Sequence, residues 1–215
     1  MPRPLTPLIS RRLAVETALQ IIDEEGYETF SLEKLARRMN VKSPSLYHHF
    51  ANKTDLLQAT AFSLMLDIEL PEPDPAKWED WFIGLCVQLH ARVLAHPRAA
   101  GLLFAYFPDD LTIEAHNRGM SILADQGFPV GVRWAVMRGL EKLAFGLALA
   151  DAADQVSGRT HLPADEDRHR WPVLVEGVES SELTQVEIVE SAVRAYLAGS
   201  VALYATKARK PRAVG

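Results

Sequence analysis

The sequence predicts an all-α protein with two helical regions, and three observations support that prediction. Apolar residues recur at intervals of three and four along almost every segment, which is the spacing of one face of an α-helix. Prolines and glycines fall between these segments, where they end helices. The alternating pattern of a half-buried strand is scarce. With 215 residues, the chain is long enough for two modest domains.

A helix-turn-helix is predicted near the start of the chain. Ser31 is a natural N-cap for a short helix, and Asn40 is a residue type that ends helices in the left-handed conformation. A second helix start is predicted next. Ser43 is a favourable N-cap, and Pro44 fits the first helical position, where the backbone N–H that proline lacks would have no partner within the helix. Together with an upstream helix that Ser10 caps, these segments give the three helices of a minimal helix-turn-helix domain.

The second helix of this motif presents an outward surface that is unusual for a solvated helix. Leu46 and Phe50 are four residues apart and can anchor the helix to a core. In place of the usual Glu and Lys, its other side chains are small polar, aromatic or imidazole groups, namely Ser45, Tyr47, His48 and His49. Such a surface favours a helix that lies in a DNA groove over a helical hairpin within a bundle. Asn52 caps a further helix, whose free amides and Lys53 predict a phosphate contact.

The same region carries a set of motifs that is specific in combination. They are Gly26-Tyr27-Glu28-Thr29-Phe30-Ser31-Leu32, Leu35-Ala36, Val41, Ser43-Pro44-Ser45-Leu46-Tyr47-His48-His49-Phe50, Asn52-Lys53 and Leu56-Leu57. With them, residues 10 to about 57 resemble the DNA-binding domain of the TetR family of bacterial transcriptional regulators. The resemblance implies phosphate contacts at Ser31 and Lys53, and residues that face the major groove or its phosphates at Ser43, Pro44, Ser45, Tyr47, His48 and His49.

From these roles we predict which residues read bases and which position the protein. Positioning on phosphates is expected of Ser31, Tyr47 and Lys53. Base edges are expected to be read by Lys42, Ser43, Ser45, His48 and His49. The relatives closest to the tetracycline repressor have a basic base-reading residue where this chain has Glu33. A carboxylate there either repels phosphate or accepts a hydrogen bond from cytosine N4, which implies an operator other than the tetracycline operator.

Charge is distributed unevenly along the chain. The first 60 residues hold eight Lys or Arg and seven Asp or Glu, whereas the whole chain has a net charge of −5. An acidic body with a mildly basic head suits a protein that touches DNA on one face only. Architectural DNA proteins tend to be strongly basic, so that alternative is disfavoured. The single Cys86 fits a reducing compartment, and no signal-peptide pattern or membrane-length apolar run is seen, so we expect a cytoplasmic protein.

Further helices are predicted beyond the head. A linking helix is expected at about 53–69, followed by helices at about 76–95, 98–107, 109–127, 130–156 and 183–207. The stretch 157–182 has mixed charge and few periodic apolar residues, which predicts a loop with at most one helical turn. The domains expected are a DNA-binding head at 1–57, a body at 70–207 and a disordered basic tail at 208–215.

The last two long helices are apolar on more than one face, so each must be buried on two sides. One side can face the body and the other a second copy of the chain. Two such helices from each copy would form a four-helix interface and a homodimer. Two-fold symmetry then places the recognition helices roughly 34 to 36 Å apart, or a small multiple of that, and predicts a palindromic operator on double-stranded DNA.

The body resembles, more loosely, the C-terminal domain of the tetracycline-repressor branch. Trp78-x-x-Trp81, Ala95-His96-Pro97-Arg98-Ala99-Ala100 and Gly127-Phe128 ahead of a long helix with Gly146 carry this likeness. In those repressors a His and a Glu help to hold the magnesium of the bound drug. The matching positions here are Leu103 and Ala150, which cannot bind a metal. The resemblance implies an effector other than magnesium-tetracycline, and neither a metal nor a cofactor is expected.

An effector pocket is expected among the apolar and aromatic residues of the body. Its candidate residues are Trp81, Phe82, His90, Leu103, Phe104, Phe107, Trp134, Met137, Arg138 and Glu141. Taken one at a time, these residues are typical of an ordinary core, and the pocket itself is an expectation from the family. A metal site at His161, Asp165, Glu166, Asp167 and His169 is disfavoured, because this polar stretch lacks regular ligand spacing.

An enzyme is the second class of function considered. The sequence has no Gly-rich phosphate loop, no nucleophile elbow and no pair of carboxylates on one inward face, so no catalytic residue is expected. The prediction is therefore a ligand-responsive, sequence-specific regulator of transcription. Release of a repressor from its operator by a small molecule is the favoured mode, although an activator would use the same DNA-binding head.

Overall fold

The computed structural model is all-α over the residues that it describes, which are 10–106 and 109–205. Its ten α-helices are α1 (Arg11–Glu25), α2 (Leu32–Arg38), α3 (Ser43–Leu46), α4 (Lys53–Met65), α5 (Trp78–Ala95), α6 (Ala100–Ala105), α7 (Asp109–Asp125), α8 (Val130–Ser157), α9 (Pro172–Glu179) and α10 (Gln185–Tyr204). These described residues contain no strand, which confirms the predicted fold class. Phe107 and the basic tail at 208–215 lie outside the described residues.

The helix caps of the head follow the predicted pattern. The side chain of Ser10 accepts a hydrogen bond from the amide of Leu13, that of Ser31 from Lys34, and that of Asn52 from Asp55, at 3.1, 3.2 and 2.9 Å. Buried residues of α1 to α4 form one core with Phe30, among them Ile21, Ile22, Leu35, Leu46 and Leu56. Leu13, which the helical spacing predicts to be buried, is 47% exposed, although the adjacent Ala14 and Val15 are buried, so it lies outside the buried face of α1.

The turn of the helix-turn-helix is built on a left-handed residue. Asn40 has a φ of 55°, the one positive φ among the described residues other than glycine. The amide of Val41 then donates to the carbonyl of Ala36 at 2.9 Å, which satisfies an acceptor that the end of α2 leaves unpaired. This geometry reverses the chain between α2 and α3, as the sequence predicts.

The linking helix α4 ends at Met65, four residues earlier than predicted. Residues 66–71 form a strap that runs along α5 and is tied to it by side chains. Arg92 donates to the carbonyl of Leu64 at 3.1 Å, and Gln88 exchanges hydrogen bonds with the backbone of Glu69 at 2.8 and 3.2 Å. The indole of Trp81 donates to the carbonyl of Pro71 at 2.8 Å. These bonds pair backbone groups that a longer helix would have paired internally. The chain can therefore leave the helix at Met65 without losing these hydrogen bonds.

The core of the body lies between α5, α8 and α10. α5 packs against both α8 and α10, and small residues on α8 (Ala144, Ala148 and Ala152) are buried at the contact. Tyr196 of α10 donates its hydroxyl hydrogen to the carbonyl of Val136 on α8 at 3.0 Å. A Cβ at Gly139 would lie 2.0 Å from that hydroxyl oxygen, so this approach requires glycine.

The predicted loop at 157–182 is wrong in part. Residues 165–170 form a 3-10 helix, and α9 adds two further turns that begin at Pro172. Proline fits a first helical turn, and the following Val173-Leu174-Val175 is compatible with a helix, but the segment is too short to show a helical period in the sequence. Val173 and Leu174 remain exposed, which explains why no buried stripe marks this helix in the sequence.

Candidate DNA interface and effector cavity

The candidate recognition helix is shorter than the predicted span to Phe50. α3 ends at Leu46, and residues 47–49 continue as a turn. The amide of Phe50 still donates to the carbonyl of Leu46 at 3.0 Å, so helical hydrogen bonding reaches that residue. Both Leu46 and Phe50 are fully buried and anchor the segment as the sequence predicts. Lys42 occupies the cap position in place of Ser43, and no side chain caps the helix.

The structure gathers most of the predicted DNA-contacting residues on this segment. Lys42, Pro44, Tyr47 and His48 are exposed, whereas Ser43, Ser45 and His49 are partly buried. Tyr47 is 56% exposed although it is aromatic, so its ring is not used to build the core. A surface of this kind has aromatic and imidazole groups available for base edges and phosphates.

Arg11 fixes the end of the recognition segment, and sequence reasoning missed it. Its guanidinium donates to the carbonyl of His49 at 2.6 Å, pairs with Asp55 at 2.8 Å and lies 4.5 Å from the ring centre of Phe50. The pairing, together with the amide of Ala51, holds the pKa of the Asp55 carboxyl below its usual value. These partners are 38 and 44 residues from Arg11, so no local sequence pattern could reveal them.

Ser31, Glu33 and Lys53 lie together at the start of α2. The ammonium of Lys53 donates to the carbonyl of Phe30 at 2.6 Å and lies 5.7 Å from the centre of the Phe30 ring. The backbone N–H of Glu33 and the Ser31 hydroxyl donate to the Glu33 carboxylate and lower its pKa, so it is ionised at neutral pH. The predicted phosphate contacts Ser31 and Lys53 are thus adjacent, with a negative charge beside them.

Several basic side chains of the head are already paired. Lys34 contacts Glu25 and Arg38 contacts Glu24, each at 2.6 Å. Among the described residues of the head, the exposed Arg37 has no ion pair, and neither has Lys42. The positive charge available for DNA therefore comes from fewer residues than the sequence count indicates.

A cavity of about 330 Å³ lies in the body between α4, the strap, α5, α7 and α8. We call it the body cavity. Its walls are mostly apolar and include the rings of Trp81, Phe82 and Phe145, the end of α4 at Met65, and strap residues such as Ile68. A volume of this size with mainly apolar walls is typical of small-molecule sites.

The structure separates the predicted pocket residues into three groups. Trp81, Phe82, Met137 and Glu141 line the body cavity. Trp134 and Arg138 line a neighbouring hollow of about 510 Å³, which shares Thr112, His116 and Glu141 with the body cavity. Three of the predicted pocket residues that the structure describes line neither space, namely His90, Leu103 and Phe104.

These three residues point elsewhere for different reasons. His90 is buried on another face of α5, where its Nε2 lies 2.7 Å from the Asp151 carboxylate. Leu103 is fully buried in the core, while Phe104 is 74% exposed on the short helix α6. The sequence shows that all three lie in or beside apolar segments. It does not show how each helix is rotated about its axis, which decides which side chains face the cavity. Phe107 lies outside the described residues.

The polar end of the body cavity contains His116, which is not among the predicted pocket residues. Its Nδ1 lies 2.7 Å from the carbonyl oxygen of Thr112, and its Nε2 lies 3.4 Å from Oε2 of Glu141. Arg138 donates to the same Oε2. The centre of the His116 ring on α7 is 5.4 Å from that of Trp134 on α8, so the two helices are in contact here.

Comparison with known proteins identifies the family. Residues 14–60 match the model of the bacterial regulatory proteins of the tetR family. The class C tetracycline repressor of Escherichia coli is 28% identical to this chain over 150 residues, which are 68% of each protein. Residues 14–60 therefore form a domain of the tetR family of bacterial regulatory proteins, and the chain is similar to tetracycline repressors over most of its length. Members of this family are regulators and not enzymes, in agreement with the sequence analysis.

Two further similarities extend the comparison. An HTH-type transcriptional regulator of Saccharopolyspora erythraea is 31% identical over 96 residues, which are 45% of this chain and only 41% of that regulator. The crystal structure of the TetR family protein ActR from Streptomyces coelicolor, in complex with (S)-DNPA, has a TM-score of 0.69 and 26% identity. That similarity covers 92% of this chain and 99% of ActR.

Two regions join the TetR-type head to the body. One is α4, and the other is the contact between the end of α1 and the turn before α6. There, His96 Nδ1 lies 2.8 Å from the Asp23 carboxylate, and Arg98 donates to the carbonyl of Glu24. A Cβ at Gly101 would lie 2.7 Å from the ring of Tyr27, so the head and α6 are in close contact.

Leu103 and Ala150, the positions predicted to match metal-holding residues of tetracycline repressors, do not line the body cavity. Within residues 10–106 and 109–205, no group of three His, Cys, Asp or Glu side chains could hold a metal ion. No helix in the described part of the chain has the length and apolar character needed to cross a membrane.

Proposed function

We propose that this protein is a homodimeric repressor that binds a palindromic operator and is released by a small molecule in the body cavity. The observation that carries the proposal is the course of α4. This helix begins at Asn52 and Lys53 in the DNA-binding head, and it ends at Met65 in the cavity wall. One rigid element of 13 residues therefore contacts both regions.

A ligand in the cavity would act on the end of α4 and on the strap that follows. Met65, Leu66, Ile68 and Leu70 all line the cavity, and hydrogen bonds from α5 hold the strap in its present course. A ligand that fits better with another position of the strap shifts α4 and changes the separation of the two heads. By linkage, such a ligand binds the free protein more tightly than the operator-bound protein.

The surface of α10 supports a dimer. Val186, Ile188, Val201 and Leu203 are exposed apolar residues of this helix in the single chain. A partner that covers them would bury the second apolar side that the sequence predicts for this helix. Pairing of α8 and α10 with their copies places two α3 segments on one face, as an inverted repeat of DNA requires.

The nature of the effector is supported by the structural neighbours and by the cavity. ActR has been crystallised with (S)-DNPA and with actinorhodin, so a related protein takes small molecules. The absence of metal-binding side chains at Leu103 and Ala150 argues against magnesium-tetracycline as the ligand. We propose Ser31, Lys42, Ser43, Pro44, Ser45, Tyr47, His48, His49 and Lys53 as the DNA-contacting residues.

A nuclease footprint on the DNA that flanks the protein's own gene tests this function. At moderate salt, we expect protection of an inverted repeat and two chains per site. Protection that is uniform along the DNA and lost on a modest increase in salt would contradict a specific regulator, because nonspecific binding depends on phosphate contacts alone. Removal of the gene should raise transcription from the protected promoter, whereas a fall would indicate an activator.

A further inference from the structure

Hydrogen-bond acceptors converge at the polar end of the body cavity. The carbonyl oxygen of Thr112 can only accept, so Nδ1 of His116, 2.7 Å away, carries a hydrogen and donates it. In a neutral ring, Nε2 is then an acceptor. It faces Oε2 of Glu141 at 3.4 Å, which is longer than the 2.7 to 2.9 Å typical of charge-assisted hydrogen bonds. In that neutral tautomer no hydrogen lies between Nε2 and Oε2, and a ligand that donates hydrogen bonds can bind at both side chains.

Glu141 directs its carboxylate toward the same space. It lies on the face of α8 that lines the cavity together with Met137, Leu140 and Ala144, and its side chain is 20% exposed. Arg138 approaches Oε2 from the neighbouring hollow, where its guanidinium lies 5.7 Å from the ring centre of Trp134. Among the described residues, none donates a hydrogen bond to Oε1, which remains able to accept from a ligand.

The charges that line the body cavity have one sign. Of the described residues in its wall, Glu114 and Glu141 are acidic, and none is Lys or Arg. Glu114 is paired with Arg118 at 3.0 Å on the outer surface, so Glu141 is the carboxylate within the cavity. The rings of Trp81, Phe82 and Phe145 form the apolar part, and aromatic faces attract cations.

We infer that the body cavity selects an amphipathic organic cation, namely a protonated amine on an apolar body. The ammonium group donates to Oε1 of Glu141 and to Nε2 of His116, while Arg138 keeps its hydrogen bond to Oε2. The apolar body lies against the aromatic wall and reaches Met65 and the strap. An organic anion would instead be repelled by the Glu141 carboxylate. This inference rests on the proposed function, because it assigns a chemical class to the effector.

Three probes that share one apolar group test the inference. Phenylbutylamine is a cation at neutral pH, phenylbutyrate is an anion and phenylbutanol is neutral. Their dissociation constants are measured by ligand-observed NMR titration of the full chain, and displacement of the neutral dye Nile red shows that they occupy an apolar cavity. For the wild-type protein we expect the amine to bind about tenfold more tightly than the alcohol, and the acid more weakly than both.

Two variants change one charge each and have opposite expected effects. Glu141→Gln should weaken amine binding about tenfold and leave the alcohol unchanged, because it removes the charged acceptor but keeps the shape. Arg138→Gln should leave amine binding equal or stronger, because it removes a competitor for Oε2. Unchanged thermal unfolding and operator binding of both variants would show that the fold and the DNA-binding head are intact.

Several outcomes would overturn the inference. Tightest binding of the acid, with loss of that binding in Arg138→Gln, would assign the site to anions. Equal binding of all three probes, or an amine preference that survives Glu141→Gln, would show that Glu141 does not select the ligand, while the repressor function would stand. Absence of binding by every probe and by Nile red would exclude the cavity as an effector site, whereas the footprint decides the DNA-binding function separately.

Discussion

Lys53 and Met65 are the first and last residues of one helix, and each lies in a different functional region. Lys53 contacts the carbonyl of Phe30 beside the start of α2, in the head that resembles DNA-binding domains of the TetR family. Met65 lines the body cavity about 18 Å further along the helix axis, at 1.5 Å per residue. A shift of α4 therefore moves residues in the cavity wall and in the head together, which couples effector binding to operator binding in the proposed regulator.

Tyr47→Ala should abolish specific operator binding without unfolding the body. The Tyr47 ring is exposed and supports no core contact, so its loss should cost binding and not stability. Fluorescence anisotropy with the footprinted operator measures the affinity, and thermal unfolding is the control. Tyr47→Phe separates the role of the hydroxyl from that of the ring. Wild-type affinity of Tyr47→Ala would refute the placement of this segment against DNA.

Lys53→Ala should weaken binding to all DNA sequences alike. If Lys53 neutralises one phosphate in each half-site, the slope of log K against log salt should fall by about one unit for each half-site. Salt titrations on the operator and on scrambled DNA give both slopes. Lys42→Ala is the matched comparison, because Lys42 is predicted to read bases and should discriminate between the two DNAs. An unchanged slope for Lys53→Ala would exclude a phosphate contact.

Gly139→Ala should destabilise the body. The added Cβ would lie 2.0 Å from the Tyr196 hydroxyl oxygen, so α8 and α10 would have to separate or Tyr196 would have to move. Overpacking of this kind costs about 1 to 3 kcal/mol, which chemical denaturation would detect. Adding Tyr196→Phe should recover part of the loss by removing the clashing oxygen. Gly146→Ala, where no atom lies within 4 Å of the added Cβ, serves as the control and should be tolerated.

Cys86 should be unreactive in the folded protein. Burial raises the pKa of its thiol to about 12 from a usual value near 9, so the reactive thiolate is depleted at pH 8. A chromogenic disulfide reagent should label the unfolded chain at least about a hundredfold faster than the native one. Fast labelling of the native protein would show that the cavity wall at Cys86 opens readily.

The same thiol makes stability depend on pH in alkaline solution. The unfolded chain releases the Cys86 proton above about pH 9, whereas the folded chain keeps it until about pH 12. The unfolded state binds fewer protons in that window, so the free energy of unfolding falls as pH rises, by at most about 1.4 kcal/mol per pH unit. Cys86→Ala should remove this part of the decline, which pH-dependent denaturation would show by difference.

Local signals in the sequence were sufficient for most of the fold. The caps Ser10, Ser31 and Asn52 and the left-handed Asn40 act through neighbours within five residues, so their geometry follows from the sequence alone. The end of α4 did not follow, because bonds from Gln88 and other side chains on α5 replace the next helical turn. α9 was missed because a short helix without a buried face leaves no periodic signal.

The candidate site shows the same division between local and distant contacts. The exposed segment around Tyr47 could be predicted, since its outward residue types are unusual for a solvated helix. Arg11 and His116 could not, because their partners lie on other helices and are chosen by the packing of the whole chain. The rotation of α5 decided that Trp81 lines the cavity while His90 binds Asp151 instead.

The most direct test of the central claim is amide hydrogen exchange of the free and the operator-bound protein. If α4 links the DNA-binding head to the body cavity, operator binding should change exchange rates in the strap at residues 66–71, beyond the helix that touches DNA. The account predicts slower exchange there, together with protection of α2 and α3. Changes confined to residues 31–56, with the strap unaffected, would contradict it.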